Sequence, residues 1–215
     1  MKKQLGFTLS EILLAVGILG IVVAMVTPAI VKVSPSATKM MVRQTYYTTT
    51  STVSELINNP LFYKRVDDST GVIYKGFDDT TSVTYRGKTY SDKSKFVDLF
   101  INNLNVKGTI STGSSICYEF FSDVSTCREV YTTNGPKWIF SVPYNTSQIT
   151  TRILIDTNGD KGPNCRVGST ESICQDADVV YDQFRIVVYN DGRVLIDTTD
   201  AWAAETIKST GTLVD

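Results

Sequence analysis

A carboxylate beside a long apolar stretch is the first feature of this chain that could do chemistry. Glu11 immediately precedes the apolar run 12–26, and a Gly6-Phe7 junction lies shortly before it. A carboxylate at the centre of a membrane helix costs about 2.5–3.5 kcal/mol on insertion scales, and less near an end, so its presence indicates a partner. Cleavage after Gly6 would create an ammonium group on Phe7, one helical turn before Glu11. The same group on a neighbouring subunit could pair with Glu11 and set the register of packed helices.

An acidic loop in the C-terminal half is the second candidate. Asp156, Asn158 and Asp160 alternate with other residues, and oxygen ligands at alternating positions suit a hard cation such as calcium. The loop is not a complete EF-hand, because Val167 occupies the position of the expected glutamate and Lys161 follows Asp160. We expect downstream carboxylates to complete the site, from the group Asp176, Asp178 and Asp182. The alternative is a polar turn between strands, where Asp, Asn and Gly are favoured in any case.

Residues 7–26 would have to position Glu11, and they are long enough to cross a bilayer as one helix. A helix rises about 1.5 Å per residue, so this segment would span roughly the 30 Å hydrocarbon core. Lys2 and Lys3 precede it, which favours a cytoplasmic N-terminus with the remainder of the chain outside the cytoplasm. The sequence therefore predicts a single-pass membrane protein with its head outside the cytoplasm.

Three other interpretations compete for this N-terminal segment. Thr8 and Glu11 could form a capping box, in which the two side chains satisfy free backbone donors at a helix start. A secretory signal peptide would have a shorter apolar region and a small-x-small cleavage site, which residues 27–29 match only weakly. A plain membrane anchor would explain the length of the segment, but not the spacing of Gly6-Phe7 and Glu11.

Residues 1–30 closely resemble the N-terminus of type IV pilins and type II secretion pseudopilins. In those proteins a prepilin peptidase cuts after the leader glycine, and the new N-terminal residue is N-methylated. The resemblance implies that Gly6 is the cleavage site, Phe7 the methylated residue and Glu11 the assembly carboxylate. Secretion pseudopilins also often bind calcium in a loop like that of Asp156, so the resemblance adds to the case for a calcium site.

The same resemblance implies a structural function. The subunit would contact membrane lipid and an inner-membrane assembly platform, and would then enter a periplasmic or cell-surface filament with other pilin-like subunits. The acidic loop favours a type II secretion pseudopilin. The alternative is a type IV pilin for adhesion, motility or DNA uptake.

All four cysteines lie in the part of the chain expected outside the cytoplasm. An even number in that setting favours disulfides, and we expect Cys117 to pair with Cys127 and Cys165 with Cys174. Each bond would close a short loop and contribute about 2–4 kcal/mol. Two other pairings are also permitted. Zinc is disfavoured, because the gaps between these cysteines are longer than in the C-x2-C pairs of structural zinc sites.

The chain is predicted to be an α+β protein in which a long N-terminal helix packs on an antiparallel sheet. We divide it into the leader 1–6, the transmembrane and assembly helix 7–30, an amphipathic helix 31–59 and a β-rich head 60–215. Pro28 and Pro35 should kink this helix, although Pro35, with Ser34 as a cap, could instead begin a second helix. We expect the helix to end near Asn58-Asn59-Pro60.

Within the head, apolar periodicity predicts a short helix at 92–104. The Asp-Gly pair in Asn190-Asp191-Gly192 predicts a hairpin turn, because it tolerates the positive φ angles that a tight turn requires. The predicted strands are Ile116–Phe121, Lys137–Val142, Arg152–Asp156, Phe184–Tyr189 and Arg193–Asp197.

Composition argues against two classes of function. The chain carries 21 Lys plus Arg and 22 Asp plus Glu, and loss of the leader lysines leaves a formal charge of −3. No strong basic field remains, so we expect no direct binding of nucleic acid. There is no histidine, which excludes Ser-His-Asp and Cys-His mechanisms, and we expect no enzymatic activity.

A membrane-anchored enzyme or adhesin is the less favoured alternative. A glycosidase would need two carboxylates facing each other across a cleft, whereas the adjacent Asp67 and Asp68 are typical of a solvated turn. An adhesin could stack sugars on Trp138 or Trp202, but burial in a β-rich core explains these aromatic residues better.

Overall fold

The computed structural model describes residues 10, 12–19, 35–68, 71–74, 76–114, 117, 120–121, 126–142, 149–176 and 179–208. The chain divides into two compact units, Met1–Ala37 and Thr38–Asp215. In the first unit, Ser10 and residues 12–19 are helical. Leu13 and Leu14 are among the exposed apolar side chains of this stretch. Across the described ranges, no helix combines the length and the apolar character needed to cross a membrane. Most of the predicted span 7–26 lies outside those ranges.

Helix α1, Pro35–Asn58, ends where the sequence predicted, directly before Asn59 and Pro60. Val42, Val53 and Leu56 recur at helical spacing and are fully buried. Two threonines share this buried side of the helix, because each hydroxyl donates to a carbonyl one turn earlier. Thr45 Oγ1 donates to Met41 O at 2.8 Å, and Thr49 Oγ1 donates to Thr45 O at 2.8 Å. The continuous long helix that we predicted depends partly on residues 20–34, which the structure does not describe.

The head contains a six-stranded antiparallel sheet, so the mixed helix-and-sheet class is confirmed. Its strand order is β10-β9-β8-β7-β6-β5. The strands are β5 Val106–Gly113, β6 Thr126–Thr132, β7 Lys137–Val142, β8 Ile149–Asp156, β9 Gln183–Tyr189 and β10 Val194–Ile196. Two small antiparallel hairpins precede the sheet, formed by β1 Arg65–Asp68 with β2 Gly71–Tyr74 and by β3 Val83–Tyr85 with β4 Lys88–Tyr90.

Alternation along the strands gives the sheet two different faces. One face carries Trp138, Phe140 and Phe184, which join the apolar cluster that also includes residues of α1. Helix α2, Lys95–Asn103, contributes Phe100 to the same cluster, 5.3 Å from Phe140 between ring centroids. We call the face of the sheet that carries Trp138, Phe140 and Phe184 the helix face. The opposite face carries a smaller cluster of Cys117, Phe121, Cys127, Ile139 and Leu154.

Several predicted elements are confirmed. Strand β7 has the predicted bounds, and β8, β9 and β10 overlap the predicted strands. The hairpin turn lies between β9 and β10, where Gly192 N donates to Tyr189 O at 3.0 Å. Gly192 has φ +86, a backbone conformation that favours glycine. A Cβ atom there would lie 2.6 Å from the Ile57 side chain, which would have to move.

The predicted strand Ile116–Phe121 is wrong. Cys117 and Phe120 are helical, and the disulfide to Cys127 and burial of Phe121 hold this segment against the sheet. At the residues of this segment that the structure describes, Cys117 and Phe121 are therefore buried without strand pairing. The sequence also gave no indication of β5, β6 or the last helix, α3 Ala201–Lys208.

Candidate functional site

A row of polar residues crosses four strands of the sheet, and the acidic loop begins directly after one member of this row, Asp156. Tyr131 pairs with Lys137, Lys137 with Asp156 and Asp156 with Gln183 in the strand register. Because directly paired residues share a face, these four side chains lie on the face opposite the helices. The loop 157–182 connects β8 to β9 at this row. We call the face of the sheet that carries these four side chains the loop face.

Asp156 is a fully buried carboxylate at the end of β8. Its Oδ2 accepts a hydrogen bond from Gln183 Nε2 at 2.9 Å, and its Oδ1 accepts one from the backbone N of Asn158 at 3.2 Å. The pKa of Asp156 is raised to about 6: burial is the largest cause, the nearby Asp182 also raises it, and the hydrogen bonds from Gln183 and Asn158 lower it. The site therefore contains a carboxylate that its own surroundings compensate only in part.

Asp182 is the second buried carboxylate of the loop. It accepts hydrogen bonds from Cys165 N at 2.6 Å, from Asn164 N at 3.0 Å and from Asn158 Nδ2 at 2.9 Å. Burial raises the pKa of Asp182, and these donors act in the opposite direction. Asn158 thus connects the two carboxylates, because its backbone N–H contacts Asp156 and its side chain contacts Asp182.

Asp160 is placed differently from the other predicted ligands. Its side chain is 69% exposed, and it accepts hydrogen bonds from Lys137 Nζ at 3.0 Å and from Tyr131 Oη at 2.9 Å. The hydrogen bond from Lys137 is the main cause that lowers the pKa of Asp160, followed by that from Tyr131. The structure therefore brings Asp156, Asn158 and Asp182 together, while Asp160 forms a separate ion pair. Asp178 lies outside the described residues.

Two amide side chains decide whether the loop can hold a cation. Asn158 Oδ1 is buried and has no hydrogen-bond partner in the described structure. One terminal atom of the Asn164 amide lies 3.1 Å from Lys161 O and 3.2 Å from Asp156 Oδ2. As a nitrogen, that atom donates to both oxygens and closes the loop without a metal. As an oxygen, it joins two other oxygens in an arrangement that suits a hard cation.

Within the described residues of this loop, carboxylates alone do not form a metal cluster. The part of the chain that the structure describes holds no group of three or more His, Cys, Asp or Glu residues placed for a metal ion. Calcium would therefore depend on amide and carbonyl oxygens beside Asp156 and Asp182. The orphaned Asn158 oxygen and the Asn164 amide fit that requirement, whereas Asp160 does not. Calcium stays a prediction, now with a changed set of candidate ligands.

The two predicted disulfides are confirmed. Cys117 bonds Cys127, and Cys165 bonds Cys174, with a Cα–Cα distance of 5.3 Å in each pair. Cys165 also closes the base of the acidic loop, because its carbonyl oxygen accepts hydrogen bonds from the backbone N of Asp182 and Gln183, each at 3.0 Å. The covalent bond and the hydrogen bonds together fix the loop on its face of the sheet.

Neither tryptophan forms an open platform for sugars. Trp138 is 2% exposed and belongs to the apolar cluster on the helix face. Trp202, on α3, is partly buried against the same cluster, with its ring 5.8 Å from that of Tyr181. The site residues that the sequence did not reveal are Lys137, Gln183 and Asn164. Only the strand register, which places Lys137 and Gln183 beside Asp156, could have indicated the first two.

Gly6, Phe7 and Glu11 lie outside the described residues, so their positions come from the sequence alone. Residues 1–27 match the family model described as the prokaryotic N-terminal methylation motif. Comparison with curated proteins and with solved structures gives no match.

Proposed function

Because residues 1–27 carry the prokaryotic N-terminal methylation motif, the signature of type IV pilins and pseudopilins, we propose that the chain is a structural subunit of a type IV pilus-like filament. Processing by a prepilin peptidase would cut after Gly6, and methylation would follow at Phe7. The motif is typical of membrane-anchored proteins of this kind, with the helix in the inner membrane before assembly. The matched motif is the observation on which this proposal depends.

Glu11 has the central role in the proposed assembly. A carboxylate among apolar helices is costly without a partner, and the ammonium group of a processed Phe7 on a neighbouring subunit would provide one. A subunit in the wrong axial register would bury an unpaired charge. The pairing would thus select one register, while apolar helix packing would supply most of the association energy.

Among filaments of this kind, we favour a type II secretion pseudopilus over a type IV pilus for adhesion, motility or DNA uptake. The acidic loop supports this choice, because it resembles the calcium-binding loop of secretion pseudopilins. The partial burial of Trp202 and full burial of Trp138 offer no support for a sugar-binding head.

We also propose that the acidic loop binds calcium through Asp156, Asp182 and the side-chain oxygens of Asn158 and Asn164. A divalent cation would neutralise two buried carboxylates and would stabilise the loop for assembly. A free calcium concentration 100 times the Kd should add about 2.7 kcal/mol to the free energy of unfolding. Thermal unfolding of the detergent-solubilised chain should therefore shift upward with calcium relative to chelator.

The Asn158→Ala variant should lose most of that calcium-dependent shift. Asp191→Asn, which removes an exposed carboxylate from the β9–β10 turn, is the matched control and should keep it. The absence of any shift in the unmodified chain at millimolar calcium would remove the metal assignment and leave the filament proposal intact.

Mass spectrometry of the mature N-terminus tests the main proposal. We expect a methylated Phe7, and we expect Gly6→Val to leave unprocessed protein in the membrane, whereas Leu5→Val should be processed normally. A mature N-terminus after Ala29 would instead establish a secretory signal peptide. Glu11→Gln should be processed but should incorporate poorly into fibres.

A further inference from the structure

Lys137 brings a positive charge to the acidic loop from a neighbouring strand. It is paired directly with Asp156 in the register of β7 and β8, so both side chains lie on the loop face. The Lys137 side chain is 14% exposed, and its Nζ lies 3.0 Å from Asp160 Oδ1. One ammonium group is thus placed beside two carboxylates that the sequence predicted as calcium ligands.

The charge of Lys137 acts on both of these carboxylates. Burial lowers the pKa of Lys137, but the hydrogen bond to Asp160 and the charges of Asp160, Asp156 and Glu129 outweigh burial, so the pKa is raised. The effect is mutual, because the charge of Lys137 is among the causes that oppose the rise in the pKa of Asp156. Lys137 therefore interacts electrostatically with the buried carboxylate as well as with the exposed one.

Tyr131 helps to hold Asp160 beside Lys137. Its Oη lies 2.9 Å from both oxygens of the Asp160 carboxylate, to which it donates. The ring of Tyr131 also approaches the ammonium group, with Lys137 Nζ 5.9 Å from the ring centroid. Two donors from β6 and β7 thus occupy a carboxylate that stands at a ligand position of the loop sequence. The chain itself neutralises this end of the loop.

Lys137 also lines a cavity that reaches the proposed calcium ligands. The cavity has a volume of about 290 Å³, and Asn164 and Gln183, which both lie beside Asp156 Oδ2, line it together with Lys137. The described lining also carries the charged side chains of Glu129, Arg166 and Glu171. The guanidinium carbon of Arg166 lies 5.4 Å from the centroid of the Phe120 ring, whereas Lys137 forms the ion pair with the loop. An ion held by Asn164 and Asp156 would therefore be close to the ammonium group, and the two positive charges would repel each other.

We propose that Lys137 sets the calcium affinity of the acidic loop, because its ammonium group neutralises carboxylates that the ion would otherwise neutralise. Without metal, Lys137 supplies part of the positive charge that Asp156 and Asp160 require. With calcium bound, the same charge repels the ion and weakens binding. The inference rests on the proposed calcium site and adds to it a residue that is not a ligand.

Calcium titration of the detergent-solubilised full-length chain, followed by calorimetry, tests this inference by the sign of the effect. Lys137→Met should lower the Kd for calcium about tenfold, the size expected when one charge is removed beside a divalent cation in partly solvated surroundings. Lys137→Arg keeps the charge and should remain near the unmodified Kd. An unchanged or higher Kd in Lys137→Met would overturn the inference, since a purely structural role of Lys137 would weaken binding when the side chain is removed.

Lys161→Met is the matched control for net charge. It removes an equal charge from an exposed position of the loop that carries Asp160, where solvent and salt screen the charge, so the Kd should change much less. Equal gains in affinity from Lys137→Met and Lys161→Met would show that the position of the charge does not matter, and would overturn the inference.

Thermal unfolding gives a second readout. In chelator, Lys137→Met should unfold at a slightly lower temperature than the unmodified chain, because it loses the exposed ion pair. In saturating calcium the order should reverse, because tighter binding adds more stability than the ion pair contributed. A Lys137→Met chain that is less stable by the same amount in both conditions would contradict the proposed competition.

The same titrations distinguish this inference from the proposed calcium site. Calcium binding by the unmodified chain, with no gain in Lys137→Met, would overturn the inference alone. Binding by Lys137→Met and not by the unmodified chain would support the inference and show that Lys137 excludes the ion. The absence of binding in both chains would overturn the inference together with the calcium site, and would leave the filament proposal intact.

Discussion

The two faces of the sheet are stabilised in different ways. The helix face buries large apolar and aromatic side chains, including Trp138, Phe140 and Phe184, against helices α1 and α2. The loop face buries the carboxylates of Asp156 and Asp182 under a loop that its own hydrogen bonds and a disulfide hold in place. Apolar burial is non-directional and roughly proportional to the area removed from water, whereas a buried carboxylate depends on each donor.

This difference indicates where function can be changed without loss of the fold. The helix face positions the sheet but carries few polar groups, so substitutions there should alter stability alone. The loop face combines charge, amide oxygens and a loop closed by a disulfide, and the proposed calcium site lies on it. Substitutions on the two faces should therefore differ in size and in their response to calcium.

The largest effect is expected on the helix face. Phe140→Ala should lower the free energy of unfolding by about 3–5 kcal/mol, because it removes a fully buried aromatic ring and leaves a cavity. Urea unfolding of the detergent-solubilised chain, followed by tryptophan fluorescence, measures this loss. Leu195→Ala, at a residue that is 46% exposed, should cost far less. Equal losses from the two variants would contradict the proposed importance of apolar burial on this face.

The next effect should come from the covalent bond of the loop face. The double variant Cys165→Ser and Cys174→Ser should lose about 2–3 kcal/mol, as expected from loop closure over a sequence separation of 9. The same double change at Cys117 and Cys127, with a separation of 10, is the matched comparison and should cost a similar amount. Only loss of the first disulfide should weaken the calcium response, since only that disulfide closes the acidic loop.

A calcium response that is lost equally in both double variants would count against a specific role of Cys165. Melting with calcium and with chelator provides that readout for both proteins.

The sequence predicted the helix face better than the loop face, for a physical reason. The sequence predicted strands that match or overlap β7, β8 and β9, and apolar periodicity predicted a helix at 92–104 that includes all of α2. The polar row depends on which strands are neighbours, and this pairing leaves no local signal at Lys137 or Gln183. The same limit explains the missed β5 and β6, whose exposed or polar residues do not alternate clearly.

The N-terminal motif and the acidic loop differ in how much of each site the sequence alone could predict. The proposed roles of Gly6, Phe7 and Glu11 rest on spacing alone, because the proposed cleavage and helix packing would both depend on local sequence. The acidic loop also has a recognisable sequence, but spacing could not show that Asp160 pairs with Lys137 instead of joining Asp156. The choice between these partners is made by tertiary structure.

A smaller effect is expected from a single donor on the loop face. Gln183→Met keeps the side-chain volume but removes the hydrogen bond of Nε2 to the buried carboxylate of Asp156. The loss should be about 1.5–3 kcal/mol, the range for hydrogen bonds to charged groups. Gln175→Met, at an exposed glutamine of the loop 157–182, is the control and should remain near the unmodified stability. If the two variants unfold at the same urea concentration, Asp156 does not depend on Gln183.

The smallest effect should come from the exposed ion pair. Lys137→Met removes the 3.0 Å contact with Asp160, but that carboxylate is largely solvated, so the expected loss is below about 1 kcal/mol. The same loss should nearly vanish at high salt, where exposed charges are screened. Lys161→Met removes an equal charge from the loop that carries Asp160 and is the matched control. A loss well above 1 kcal/mol that persists at high salt would mean that Lys137 stabilises the buried Asp156 more than the exposed Asp160.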